Sequence, residues 1–149
     1  EQVEAQAIVG TALPGVAPSY LILLDVDNFS SIVESVGPQT SEDVLKLVGR
    51  LLSFNLRSGD IIARTEDDEF GIMLNQYAPE DCITGIMERV RTKLASRTYL
   101  VRNQKVDLQI TLAAKAIDIG DDPEELYKAA KKALKFAKSE GKNRSEIAD

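Results

Sequence analysis

The sequence predicts an α/β (α+β) domain, a mixed sheet with helices on its faces, and three observations lead there. Apolar runs of strand length alternate with segments of helical periodicity. Two pairs of the short runs are adjacent in the chain and read as antiparallel hairpins. Other runs are separated by whole helices, as crossover connections require. A chain of 149 residues suits one domain with a single core. Residues 1–18 are expected to be an N-terminal helix and linker, and residues 19–149 the domain itself.

Each element has a local reason. Glu1 to Gly10 reads as a short helix, followed by a Pro/Gly/Ala linker from Leu13 to Ser19. Tyr20–Asp25 is a continuous apolar run, suited to a strand buried on both faces. Phe29–Val36 reads as a short helix ended by Gly37-Pro38. Ser41 is the expected N-cap of a long helix to about Asn55, with Val44, Leu45, Leu47, Val48, Leu51, Leu52 and Leu56 as its apolar stripe. Asp60–Arg64 and Phe70–Leu74 form the first hairpin. Pro79 opens a third helix over Glu80–Ser96, with Ile83, Ile86, Met87, Val90 and Leu94 on one face. Tyr99–Arg102 and Val106–Ala114 form a second hairpin. The last helix runs from Pro123 to Ser139, with Gly141 as its C-cap.

Composition removes several functional classes. With no histidine, imidazole acid–base chemistry and His-ligated zinc are excluded. The lone Cys82, at a helix start, excludes an internal disulfide and reads as structural. A net charge of −6 argues against nucleic acid as the partner. No apolar stretch reaches the length of a membrane span and no secretory signal is visible, so a cytoplasmic location without membrane contact is expected. The chain opens on Glu1-Gln2-Val3 without Met, as expected of a segment excised from a larger protein.

The candidate chemistry lies in two acidic groups. Glu66-Asp67-Asp68-Glu69 fills the tip of the first hairpin, where glycine usually supplies the turn. Four carboxylates so close repel one another unless a cation or a basic group is near. Asp25 and Asp27 end the first strand on one face, with Val26 on the other. Each group alone reads equally as a solvated terminus or turn. Together they read as a site for a hard divalent cation such as Mg²⁺, completed by water and phosphate oxygens.

Asp25-x-Asp27-x-Phe29, Gly37, Asp68-Glu69-Phe70 and Lys138-x-x-Gly141-Lys142-Asn143-Arg144, in this order, resemble the GGDEF domain of diguanylate cyclases over Tyr20 to Arg144. The resemblance implies a central mixed, largely antiparallel five-stranded sheet flanked by helices, related to the palm of nucleotide cyclases. It implies a family chemistry in which two GTP condense to cyclic di-GMP across a dimer with two divalent cations. It places a metal corner on Asp25, Val26 and Asp68. The family's Asp-x-Leu-Thr-x-Leu entry segment is absent before the first strand.

The departures from the family are specific. Its two signature glycines are Glu66 and Asp67 here, so Glu66-Asp67-Asp68-Glu69-Phe70 replaces Gly-Gly-Asp-Glu-Phe. Glycine there lets backbone approach phosphate, and an anionic side chain repels it. The family's guanine-reading Asn falls on Val33, and its partner Asp falls on Glu42. A Lys after Asp-x-Asp-x-Phe is Ser30, and Gly-His has become Gly37-Pro38. Asp25, Asp68, Glu69 and Lys138 survive, with Lys142 in place of Arg. The resemblance therefore implies a degenerate domain with no catalytic residues assigned, no cofactor required, and at most a remnant Mg²⁺ corner.

Arg57-Ser58-Gly59-Asp60 falls where the family carries its Arg-x-x-Asp inhibitory site, which binds intercalated cyclic di-GMP, and Arg89 matches a second arginine of that site. An Arg fork matches phosphate or the guanine Hoogsteen edge, and an Asp accepts from guanine N–H. Taken alone, the motif also reads as a helix-terminal Arg beside a strand-initial Asp; its position in the family favours the binding reading. The expected function is a catalytically inactive receptor for cyclic di-GMP through Arg57, Asp60 and Arg89. Its expected partners are other domains of the parent protein and a signalling protein, with ligand-induced dimerisation. The alternatives are a weak or atypical diguanylate cyclase and a nucleotide-free interaction domain.

Overall fold

The structure, a computed structural model, describes residues 19–75, 80–118 and 120–148. The expected N-terminal helix, its linker and Pro79 lie outside the described residues. β1 (Ser19–Val26) is the central strand and is buried along its whole length. It pairs antiparallel with β3 (Glu69–Leu74) on one side and β6 (Ile110–Ile117) on the other. β2 (Ile61–Glu66) flanks β3 antiparallel, and β7 (Ser145–Ile147) flanks β6 in parallel. The order β2-β3-β1-β6-β7 is the five-stranded, mixed, largely antiparallel sheet that the family resemblance implies.

The sheet separates two apolar layers by alternation along β1. Tyr20, Ile22, Leu24 and Val26 face the larger one, covered by α1 (Phe29–Val36), α2 (Pro38–Phe54) and α3 (Glu80–Leu94). Leu21 and Leu23 face the smaller one with Met73, Ala113 and the Leu126, Ala130 and Leu134 stripe of α4 (Pro123–Ser139). Asp25 ends the α4-facing row, so α4 roofs that end of the sheet.

Three expectations on elements change, and one strand is added. The long helix starts at Pro38, not after a Ser41 cap. Pro38 has no N–H to leave unsatisfied in a first turn, and Gly37 at φ 87 makes the corner for it. Ser41 lies one turn inside and donates to the Pro38 carbonyl at 2.8 Å. The second hairpin is β4 (Thr98–Val101) and β5 (Gln104–Asp107), a separate two-stranded ribbon, and β6 is a new strand in the main sheet. Arg102 and Asn103 both adopt positive φ, 49° and 64°, and form the tight turn that splits the run. β7 has only three residues, too few for a period to show. The first hairpin extends through Glu66 and Glu69, which pair directly across its end, leaving Asp67-Asp68 as the turn. Neither turn residue is at positive φ; a bulge at Thr65 supplies the twist that glycine would otherwise give.

α4 ends as expected. The N–H of Gly141 reaches the Lys138 carbonyl and that of Lys142 reaches the Ala137 carbonyl, both at 3.3 Å. This paired closure around a positive-φ glycine turns the chain back toward β1 and delivers Lys142 and Asn143 to its end.

Candidate functional site

One row of side chains crosses four strands at the α4-facing end of the sheet. Thr111 on β6 pairs with Asp25 on β1, Asp25 with Glu69 on β3, and Glu69 with Glu66 on β2. The backbone N–H of Val26 donates to the Asp68 carbonyl at 3.2 Å, which holds the hairpin turn beside the end of β1. The structure thus brings together Asp25, Val26, Asp68 and Lys138.

α4 answers this acidic row with Tyr127, Lys131 and Lys138. Glu69 is fully buried and both its oxygens are satisfied. Oε1 accepts from Thr65 Oγ1 and Tyr127 Oη, each at 2.8 Å, and Oε2 accepts from Lys131 Nζ. Lys131 also donates to Glu66 Oε2 at 3.0 Å. Burial and the Glu69 hydrogen bond push the Tyr127 hydroxyl well above its usual range. Burial alone would lower the Lys131 ammonium, but its hydrogen bonds to Glu69 and Glu66 raise it overall. Lys138 donates to Asp25 Oδ2. The other oxygen, Oδ1, is buried with no hydrogen-bond partner.

Asp25 is therefore an unusual acid. Burial raises its pKa from 3.8 to about 6; Lys138 opposes the rise, and the charges of Glu69 and Asp68 add to it. A raised native pKa favours the protonated form, so this group's stabilisation is present at low pH and lost as pH rises through about 6. A shift of about two units corresponds to about 3 kcal/mol. The stability of Asp25→Asn relative to wild type should therefore grow between pH 4 and pH 7, read by urea titration at several pH values. A flat difference would assign Asp25 an ordinary pKa.

Asp27 lies on the same face, as expected, but serves the fold. Its carboxylate accepts from Thr111 Oγ1 at 2.6 Å and from the Asn143 N–H at 2.8 Å, pinning the loop after α4. Lys142 Nζ in that loop donates to Asn28 Oδ1 at 2.8 Å.

The residues do not form a preorganised cradle for a divalent cation. Among the described residues no three acidic or thiol side chains are grouped to hold an ion. Glu66 and Glu69 are bound by Lys131, and one oxygen of Asp25 by Lys138. Asp25 Oδ1 and the Asp68 carboxylate lie outside these pairs, beside two ammonium groups already engaged.

Of the two positions that the resemblance assigns to guanine, one is ion-paired and the other is apolar. Arg64 reaches from β2 to Glu42 on α2, with Nη1 2.5 Å from Oε2, and holds that carboxyl below the usual carboxylate range. Its Nε and Nη2 also donate to the Asp67 carbonyl, at 3.0 and 2.6 Å. Val33 is half-buried on α1 and offers no side-chain hydrogen bond.

Arg57 and Asp60 meet in the turn between α2 and β2. The Asp60 side chain is fully buried, while that of Arg57 is 54% exposed, 3.8 Å from it. Asp60 accepts from the N–H of Arg57 at 2.9 Å and of Asn75 at 3.4 Å. Its oxygens thus face the loop's own donors and fix the turn that carries Arg57. Arg57 donates to the Asn75 carbonyl. Arg89 reaches from α3 to the Asn55 carbonyl at 2.6 Å, at the end of α2 and two residues before Arg57. Both arginines therefore lie at the C-terminal end of α2, where the helix dipole favours cations.

Lys131, Tyr127, Arg64 and Asn75 were not anticipated from the sequence. Tyr127, Lys131 and Lys138 share one face of α4 by helical spacing, the one signal that could have found Lys131.

A five-stranded sheet in this order, with an acidic hairpin beside the end of its central strand and a lysine-bearing helix across it, defines a mixed α+β domain. The chain belongs to the GGDEF domain family: residues 12–144 match the family described as diguanylate cyclase, GGDEF domain. Diguanylate cyclase DosC of Escherichia coli is 30% identical over 131 residues, covering 87% of this chain and 28% of that protein. Response regulator PleD of Caulobacter vibrioides is 27% identical over 143 residues, covering 94% of this chain and 31% of that protein. The chain thus spans about 30% of the length of such relatives. The GGDEF domain of DgcB from Caulobacter crescentus, solved in complex with c-di-GMP, has the same fold at a TM-score of 0.86 and 22% identity, across 99% of this chain and 85% of that one. Diguanylate cyclase SiaD from Pseudomonas aeruginosa, solved with its activator SiaC, matches at a TM-score of 0.80 and 25% identity, across 88% of this chain and 50% of that one. Among the described residues no helix is long and apolar enough to cross a membrane.

Proposed function

We propose that this chain is a degenerate, catalytically inactive GGDEF domain that acts as a cyclic di-GMP receptor through the turn carrying Arg57 and Asp60. The observation that carries the reading is a contrast between two ends of one fold. At the substrate end, Glu42 is bound to Arg64, Glu66 to Lys131, and Val33 cannot read guanine. At the other end, a half-exposed Arg57 stands on a turn fixed by buried Asp60, with exposed Arg89 at the same helix end. Arginine forks at a surface suit phosphate oxygens and the guanine Hoogsteen edge. The complex of DgcB with c-di-GMP supports the ligand class. The complex of SiaD with an activator supports a protein partner, in addition to the parent protein's other domains. No cofactor is required for such a role, and the cytoplasm is the fitting location.

The ligand binds as an intercalated pair of molecules that bridges two copies of the domain. Calorimetry on the wild type with cyclic di-GMP and, separately, with GTP and Mg²⁺ tests the reading. Cyclic di-GMP should bind at micromolar or tighter affinity, about −8 kcal/mol, while GTP shows no heat of binding. Sedimentation should show the ligand driving dimer formation. GTP binding without cyclic di-GMP binding would favour an atypical cyclase, for which the proximity of Asp25, Asp68 and Lys138 speaks. Binding of neither would favour a pure interaction domain.

A further inference from the structure

We infer that Lys131 is the built-in counter-ion of the signature hairpin, neutralising Glu66 and Glu69 as a bound cation otherwise would, so that an ion pair between α4 and β2–β3 closes this side of the acidic corner. This inference stands whether or not the domain binds cyclic di-GMP.

The argument starts from register. Glu66 and Glu69 pair directly across the end of β2–β3, where like charges destabilise a hairpin. Glu69 is also fully buried, and a buried carboxylate persists only when it is paired and hydrogen-bonded. Lys131 Nζ answers both demands, donating to Glu69 Oε2 and to Glu66 Oε2. Thr65 and Tyr127 fill Glu69 Oε1, so Glu69 keeps no oxygen for a cation. The Glu66 carboxylate is thereby turned toward α4 and held as one half of a pair. A glycine at position 66 would leave Lys131 one acceptor; a neutral residue at position 131 would leave two opposed carboxylates. The two positions are therefore coupled: the first departure from the signature is matched by a lysine on the helix above it.

Thermal unfolding of the full chain in EDTA and in millimolar MgCl2 tests this, with wild type, Glu66→Gln, Lys131→Met, the double variant and Lys131→Arg. Wild type should have the same midpoint in both solutions. Lys131→Met should fall by roughly 10 °C in EDTA, as expected when one partner of a buried pair is removed, and MgCl2 should restore part of that fall. Glu66→Gln should cost less, and the double variant less than the sum of the two singles. Lys131→Arg should keep the wild-type indifference to Mg²⁺. A wild-type midpoint that rises with MgCl2 would overturn the inference, since that measurement needs no variant to fold. Additive costs of the two single variants would overturn it too.

Discussion

Purified chain incubated with GTP and Mg²⁺ should accumulate no cyclic di-GMP above background. The expected deficit relative to an intact member of the family is several orders of magnitude, because three separate losses multiply. Val33 leaves the guanine edge without its hydrogen-bond partner, and an unmade polar contact of this kind is worth about 10⁴-fold or more in discrimination. Glu42, the other guanine-facing position by resemblance, is engaged by Arg64, so a purine must displace an existing ion pair to use it. That pair is exposed and contributes at most about 1 kcal/mol, so it is the least of the three. Asp67 is exposed at the turn that the family uses to approach phosphate. Like charges about 4 Å apart repel by about 1 kcal/mol in water and by several times that when partly desolvated.

Restoring glycine at both Glu66 and Asp67 separates these terms. GTP with Mg²⁺ should bind more tightly to the double variant, because the Asp67 carboxylate is gone and Lys131 is released from Glu66 toward added anions. Turnover should stay at background because Val33 remains. Chromatography of the reaction mixture reads both variants. Product from the wild type that disappears in Asp68→Ala would show a working cyclase. Ready turnover by the glycine variant would show that Val33 carries far less weight than assigned here.

The fold was legible wherever periodicity ran long enough to repeat. The Phe29–Val36 and Pro123–Ser139 helices lie where their patterns put them, because each has a strong stop signal, Gly37-Pro38 in one and Gly141 in the other. The central strand announced itself as an unbroken apolar run because both its faces are covered. The second hairpin was misjoined because Arg102-Asn103 makes its turn with two positive-φ residues and no glycine. β7 was invisible because three residues carry no period, and its pairing with β6 is set by the closure of α4. In the site, the acids were legible but their partners were not. The sequence shows that Asp25, Glu66 and Glu69 need positive charge; it does not show that helix α4 supplies it, to Glu66 and Glu69 from 65 and 62 residues away through Lys131 and to Asp25 from 113 residues away through Lys138. Asp27 shows the converse: same face and same chemistry as Asp25, yet consumed by Thr111 and Asn143.

Arg57→Ala should weaken cyclic di-GMP binding at least tenfold, about 1.4 kcal/mol or more, and Asp25→Ala should leave it nearly unchanged. Arg57 is the half-exposed fork of its turn, and its donors suit two acceptors at once in a way a lysine ammonium cannot copy. Lys in its place should therefore recover little of the loss. Asp60→Ala should also weaken binding, but by another route. Its carboxylate is buried against the N–H groups of Arg57 and Asn75, so its removal loosens the turn and should lower the thermal midpoint, which Arg57→Ala should not do to the same degree. Arg89→Ala removes the second arginine and the contact to the Asn55 carbonyl, and should reduce affinity less than Arg57→Ala. Asp25 lies at the α4-covered end of the central strand, bound to Lys138, and touches none of these groups. Calorimetry on the five variants beside the wild type decides the matter. Equal losses from Arg57→Ala and Asp25→Ala would mean that the ligand enters through the acidic corner, and the receptor site would then have to be moved to that end of the sheet.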